Sequence, residues 1–371
     1  MRRKTTSRRQ FLRTVGASGL AACMPSIVDA AGPKTMQPTL LFCCDFNWAL
    51  KKDGSARASM PGDWAHVDPR KYFDWHREFG VNVMFCQAYC SSGYALYPSK
   101  LGPVGKSNAA TLFPRLYEMS RKAGMPVWSY FCVPTDVFTA KEHPDWIIPG
   151  SWSPGGHGGL FGPETPYTAK LCERIREFLK VYPVDWLLLD WFTYGALTPN
   201  GSPVRPAEFV EKPFKRIIGR PMPKTADEIA PEEHLKYKRT VLAEQFQALK
   251  KAVKETSPDT KLIFNSYRKA AEELWVGHPM LEESEGLFAE STDSIVNWLL
   301  KVRKPNQRVM TTVIGHGKLS DPTTWKKWHA RGCDFFGYAW GTPPSFEPHP
   351  RYKKKLDITR EAFQAMSSER P

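Results

Sequence analysis

Two carboxylates stand where apolar runs end. Asp190 closes Trp186-Leu187-Leu188-Leu189, and Glu290 closes Gly286-Leu287-Phe288-Ala289. Runs of this kind read as buried strands, so each acid is expected where its strand opens onto a pocket. Paired carboxylates across a sugar-sized gap can cleave a glycosidic bond: one attacks or stabilises the anomeric carbon while the other, held protonated, donates to the leaving oxygen. Asp190, with the shorter side chain, suits the ionised nucleophile. Glu290 reaches further and has an apolar strand behind it, which raises a carboxyl pKa and suits the acid. The plain alternative for either residue is an ion pair or a cap.

Other polar and aromatic residues end the neighbouring apolar runs. Asp45 and Asn47 stand beside Trp48, and Gln87 and Tyr89 end the second run. Tyr130 lies in the third, Trp191 follows Asp190, and Asn265 with Arg268 follows the fifth. His316 follows the seventh, and Tyr338 and Trp340 end the eighth. Aromatic faces stack on sugar rings, and amides and carboxylates take hydroxyl hydrogen bonds.

The elements that must position these residues alternate in period. Strands are predicted over Thr39–Asp45, Val81–Ala88, Pro126–Val133, Trp186–Asp190, Lys261–Asn265, Gly286–Glu290, Arg308–Ile314 and Asp334–Trp340. Amphipathic helical patterns lie between them, several stopped by glycine or proline: Gly80, Gly124, Pro183, Pro258 and Gly332. Eight strand-then-helix units with strands apolar throughout predict an α/β fold, a single (β/α)8 TIM-type barrel. A doubly wound open sheet is the alternative, although no G-x-G-x-x-G follows the first strand. Three long connections, Asn47–Val67, Thr135–Pro166 and Phe192–Pro231, all follow strands, which puts them on the carboxyl-end face where such barrels build their sites. Asp190 and Glu290 end the fourth and sixth strands, and alternate strands fill one interior layer.

The Asp185–Trp191 run resembles the nucleophile strand of α-L-fucosidase-like and related glycosyl hydrolases. His143-Pro144-Asp145-Trp146 is similar to the H-P-E/D-W loop of bacterial barrel proteins described as hypothetical glycosyl hydrolases. The resemblance covers residues 39–340 and implies Asp190 as nucleophile, Glu290 as acid/base, and His143 and Trp146 beside the substrate. Fucosidases place paired histidines near strand two, where this sequence has Gln87-Ala88-Tyr89-Cys90, so it implies the broader class rather than fucose.

The N-terminus reads as an export signal. Two arginines, Arg8 and Arg9, precede Phe11-Leu12. An apolar stretch from Val15 to Ala22 follows, then Pro25 and a small-residue site at Val28-Asp29-Ala30. The expected division is a twin-arginine signal over 1–30 and a barrel over 31–371. That makes the twin-arginine export machinery a partner and the periplasm or exterior the destination. The stretch is too short and glycine-rich to span a membrane, and Leu20-Ala21-Ala22-Cys23 offers a lipid-anchored alternative. Of the formal +14, residues 1–30 hold six basic side chains and one acid, leaving about +9. That charge is compatible with an acidic glycan. The basic residues scatter rather than forming a nucleic-acid stripe, and those at Lys250–Lys254 and Lys353–Lys355 read as solvated helix faces. Seven cysteines follow residue 30 with no CxxC, as expected of a protein folded in a reducing compartment before export.

Two other readings compete. Asp45, Asp190, Glu290 and His316 could ligate a divalent metal in a sugar isomerase-like barrel, although no close ligand motif is present. The pocket could also bind sugar without turnover. The hydrolase reading needs no cofactor and no metal. If the signal is read correctly, Arg8→Lys with Arg9→Lys leaves full-length protein in the cytoplasm, as cell fractionation and immunoblotting would show. Unchanged export would end that reading.

Overall fold

A computed structural model describes residues 37–51, 53–148, 151, 156–192, 208–265, 275–290, 293–314 and 324–368. Residues Thr35–Pro371 form one compact unit. The signal-like segment lies outside the described residues. The strands are β1 (Leu40–Leu50), β2 (Ala56–Ala58), β3 (Met84–Tyr89), β4 (Val127–Cys132), β5 (Trp186–Asp190), β6 (Lys261–Asn265), β7 (Gly286–Ala289), β8 (Arg308–Thr312) and β9 (Asp334–Gly341). They form one curled sheet in the order β2-β1-β9-β8-β7-β6-β5-β4-β3. All pairings are parallel except that of β2, which folds back on the end of β1 through Trp48↔Ala58 and Leu50↔Ala56.

Alternation along each strand separates two apolar layers. Leu41, Phe85, Tyr130, Leu188, Phe288 and Phe336 belong to a cluster within the curl. Leu40, Met84, Phe131, Leu189, Leu287 and Phe335 pack outward with the helices. Burial on both faces is why these strands read as unbroken apolar runs.

The two ends of the parallel run, β1 and β3, share no ladder among the described residues. Their edges are joined by other bonds: the Leu40 carbonyl accepts from Asn82 N (3.0 Å) and Val83 N (3.3 Å), Leu40 N donates to Asn82 Oδ1 (2.8 Å), and Phe46 N donates to Gln87 Oε1 (2.7 Å). Where a continuous eight-strand barrel was expected, the structure has a curled sheet with a seam bridged partly by side chains. Register shifts lie close to that seam, in β1 between Asp45 and Ala49 and in β3 between Gln87 and Tyr89. Such shifts put backbone donors and acceptors out of step.

Helices begin and end where local chemistry directs. Asp68 accepts from Arg70 N and Lys71 N at the start of Pro69–Phe79, and Gly80 ends that helix at φ 96°. Beneath the site, Asp185 at the foot of β5 accepts from Val127 N (2.7 Å) and from Arg121 (2.8 Å), fixing the register of β5 on β4. The connection predicted as Phe192–Pro231 contains a helix, Glu208–Ile218, with Pro213 inside it. Proline reads as a helix breaker, which hid this element in the sequence. The short helices Val137–Glu142 and Pro279–Glu283 likewise went unread.

All seven cysteines from Cys43 to Cys333 are buried and free. Denatured protein should therefore titrate seven thiols beyond residue 30, native protein should react slowly, and reductant should leave the melting temperature unchanged. A loss of about 2–5 kcal/mol on reduction would reveal a bridge.

Candidate active site

The carboxyl ends of the strands open onto a cavity of about 320 Å³. Asp45, Asn47 and Trp48 reach it from β1, Gln87 from β3, Tyr130 from β4, Asp190 and Trp191 from β5, Glu290 from just beyond β7, and Tyr338 and Trp340 from β9. Apolar side chains from the interior layer, among them Leu188, Phe288 and Phe336, line it as well. Asp190 is 6% exposed.

One amide holds the two carboxylates. Asn265, at the end of β6 between β5 and β7, donates from Nδ2 to Asp190 Oδ1 (2.9 Å) and to Glu290 Oε1 (2.9 Å). Two acceptors on one NH2 group, each 2.9 Å from its nitrogen, lie about 5 Å apart. The other oxygen of Asp190 ends a relay. Ser91 N donates to Asn47 Oδ1 (2.7 Å), Asn47 Nδ2 to Tyr130 OH (3.0 Å), and Tyr130 OH to Asp190 Oδ2 (2.8 Å). Every donor in that chain points one way, so Asp190 is held as an acceptor.

Burial raises the Asp190 carboxyl above the usual range, and the charge of Glu290 raises it further. Hydrogen bonds from Asn265, Tyr130 and Trp191 N oppose both. Asp45 is pushed up to about 6, first by burial. Donation from Gln87 Nε2 (2.9 Å) and Asn47 N (3.0 Å) limits the rise. Three carboxylates thus share one cavity, and two of them hold protons more tightly than free aspartate does.

Aromatic side chains shape the mouth. Trp48 and Trp340 stack 4.9 Å apart at 18°. His157 sets its ring edge-on to Trp48 (4.7 Å) and near Trp191 (6.0 Å), while Ser91 Oγ holds its Nδ1 at 2.9 Å. Burial lowers the His157 pKa to about 4, so the ring is neutral near pH 7. Trp191 adopts φ 55°, a left-handed conformation that a bulky residue rarely takes, immediately after Asp190.

Several expected residues lie elsewhere. Tyr89 turns away from the cavity: its hydroxyl donates to Gly93 O and Asp136 Oδ2, and Arg174 stacks on its ring at 4.5 Å. The register shift between Gln87 and Tyr89 breaks the alternation that would have put both side chains on one face. His143 and Trp146 stack on each other (3.8 Å) around the turn Pro144–Trp146 and do not line the cavity. Arg268 and His316 lie outside the described residues. Sequence reasoning missed His157, in a glycine-rich loop, and Lys355, which was read as a solvated helix face. The Lys355 ammonium sits 3.1 Å above the centre of the Tyr338 ring.

Comparison with solved structures places this architecture. α-L-Fucosidase isoenzyme 2 from Paenibacillus thiaminolyticus superposes with a TM-score of 0.64 at 16% identity, covering 90% of this chain and 50% of its own. The PgaB (BpsB) glycoside hydrolase domain from Bordetella bronchiseptica gives 0.53 at 15%, covering 78% and 92%. The fold is similar to that of these two solved structures. At these identities the likeness is one of fold, and the chain spans half the length of the Paenibacillus enzyme. No protein-family model and no curated protein matches the sequence.

A carboxyl whose folded pKa exceeds its unfolded one binds more protons when folded, so stability falls as pH rises between the two values. For Asp45 that window runs from the unfolded value of about 3.9 to about 6 in the fold. Asp45→Asn keeps an acceptor for Asn47 and Gln87 but removes the buried charge. It should stabilise the protein by about 1–3 kcal/mol near pH 8 and by little near pH 4, in urea unfolding at both pH values. Equal destabilisation at both would contradict this account.

Proposed function

We propose that the protein is a retaining glycoside hydrolase with Asp190 as nucleophile and Glu290 as acid/base. The observation that supports this reading is the shared Asn265 donor, which brings one oxygen of Asp190 and one of Glu290 within about 5 Å of each other, in keeping with the about 5–5.5 Å of a retaining pair. Asp190 has three donors, from Tyr130, Asn265 and Trp191 N, that stabilise its ionised form. It would attack C1 of the sugar, forming an ester bond as the C1–oxygen bond breaks and Glu290 gives its proton to the departing oxygen. Water then attacks C1, Glu290 takes a proton from it, and the ester to Asp190 is broken. The stacked Trp48 and Trp340 supply a wall for a sugar ring, and Asp45, Asn47 and Gln87 supply polar contacts for its hydroxyls.

Complete closure of the eight parallel strands into a barrel belongs to the same proposal, supported by the hydrogen bonds between the edges of β1 and β3. Action outside the cytoplasm is inferred from residues 1–30 of the sequence. Of the isomerase reading's four residues His316 lies outside the described residues, among which no group of three His, Cys, Asp or Glu side chains is placed to hold a metal ion.

Asp190→Ala should lower kcat on any glycoside turned over by the parent by roughly 10³–10⁶-fold. Glu290→Ala should impair substrates with poor leaving groups far more than activated aryl glycosides, because an activated group needs little protonation. Proton NMR of the first product should show the starting anomeric configuration. Inversion would refute the assigned roles, and binding of glycans without turnover by the parent would leave only a carbohydrate-binding pocket.

A further inference from the structure

Lys355 belongs to the last helix, Lys353–Ser368, yet its side chain is half-buried rather than solvated. Its Nζ lies 3.1 Å above the centre of the Tyr338 ring and 6.0 Å from that of Tyr352. Tyr338 lines the same cavity as Glu290. Among the described residues the ammonium has no hydrogen-bond or ion-pair partner. One turn earlier, Arg351 lays its guanidinium over Trp340 at 5.1 Å, where it also donates to Gly54 O (2.7 Å) and Tyr352 OH (2.9 Å). Residues 338 and 340 share one face of β9 and both line the cavity, so each cation sits against a ring of the same cavity wall without itself lining the cavity.

A half-buried ammonium without a hydrogen bond is costly, and the ring face offsets only part of the loss. Burial lowers its pKa to about 7, opposed by the charge of Glu290. Glu290 is the carboxylate that acts on this lysine, but as acid it must carry a proton and cannot then neutralise a cation. We propose that Lys355, with Arg351 beside it, forms the cationic edge of a subsite for an anionic substituent, a carboxylate or sulfate ester, on the glycan. This rests on the hydrolase reading of the site. The excess of basic residues beyond residue 30, about +9, agrees with an acidic substrate drawn in by charge.

The test uses full-length protein carrying Asp190→Asn, to stop turnover, and oligosaccharides matched as neutral, uronate-bearing and sulfated forms. Equilibrium binding at low salt should favour one or both acidic forms by about tenfold or more, as one charge-assisted contact provides. The two acidic arms tell carboxylate from sulfate recognition. Lys355→Gln added to Asp190→Asn should abolish the preference while leaving neutral binding within about twofold. Lys355→Arg should keep the preference and also control for folding. Equal binding of neutral and acidic forms overturns the subsite, as does a preference that survives Lys355→Gln. If the parent protein still turns over a neutral glycan in that case, the hydrolase reading stands and only the subsite falls. If acidic glycans bind selectively but none is cleaved, the subsite stands and the hydrolase reading falls.

Discussion

Two acidic side chains that share a single amide donor set the terms for the rest of the site. Each carboxylate taken from water loses solvation, and each raises the cost of ionising the other, so buried Asp190 and half-buried Glu290, with oxygens about 5 Å apart, resist carrying two charges. Asn265 cannot neutralise them, because an amide brings no charge. What it does is fix their spacing and occupy one oxygen of each. The second oxygen of Asp190 is satisfied by Tyr130. A site built this way holds the proton count open near neutrality and fixes the geometry rigidly, which is the combination proton transfer between substrate and protein requires.

Rigidity is supplied from outside the pair. The tyrosine that bonds Asp190 is held by Asn47, and Asn47 by the backbone of Ser91 in the loop after β3. That loop is anchored by the buried Asp136–Arg174 ion pair (2.5 Å), with Tyr89 donating to Asp136 and to Gly93 O. At Gly93 a Cβ would fall 2.0 Å from Asp136 Oδ1, so only glycine lets the loop approach the ion pair this closely. A chain of contacts therefore runs from an ion pair on the helix side of the sheet to the carboxylate in the cavity. The seam between β1 and β3 is part of the same construction. Gln87 Oε1 accepts from Phe46 N and Gln87 Nε2 donates to Asp45 Oδ1, joining the sheet edges and orienting a cavity carboxylate with one side chain.

What the sequence disclosed follows from where information is local. Apolar runs that end in a carboxylate or amide state both the strand and its mouth, so Asp190 and Asn265, which close β5 and β6, and Glu290, just beyond β7, were legible, whereas β1 runs on past Asp45 and Asn47 to Leu50. Tyr89 was misread because the register shift that turns it outward arises from pairing with β4, which no pattern within Met84–Tyr89 reveals. Helix Glu208–Ile218 was hidden by an internal proline that its surroundings tolerate. Lys355 was misread for a related reason. Three successive lysines at a helix start look solvated, and only the packing of that helix against β9 selects one of them to turn inward over Tyr338.

Trp191 shows how strain and chemistry meet in this fold. Its φ of 55° turns the chain sharply after Asp190, its N–H bonds the carboxylate it follows, and its ring joins the cavity wall. An extended φ here would redirect both the ring and the chain that follows. Holding a non-glycine residue in this region costs of order 1–3 kcal/mol. A charge-assisted hydrogen bond returns about 1.5–3 kcal/mol, and burial of most of an indole adds to it. The strain is thus offset by the contacts that surround the turn. Glycine would remove the strain but also the aromatic wall, so a tryptophan at this position is better accounted for by the cavity than by the turn.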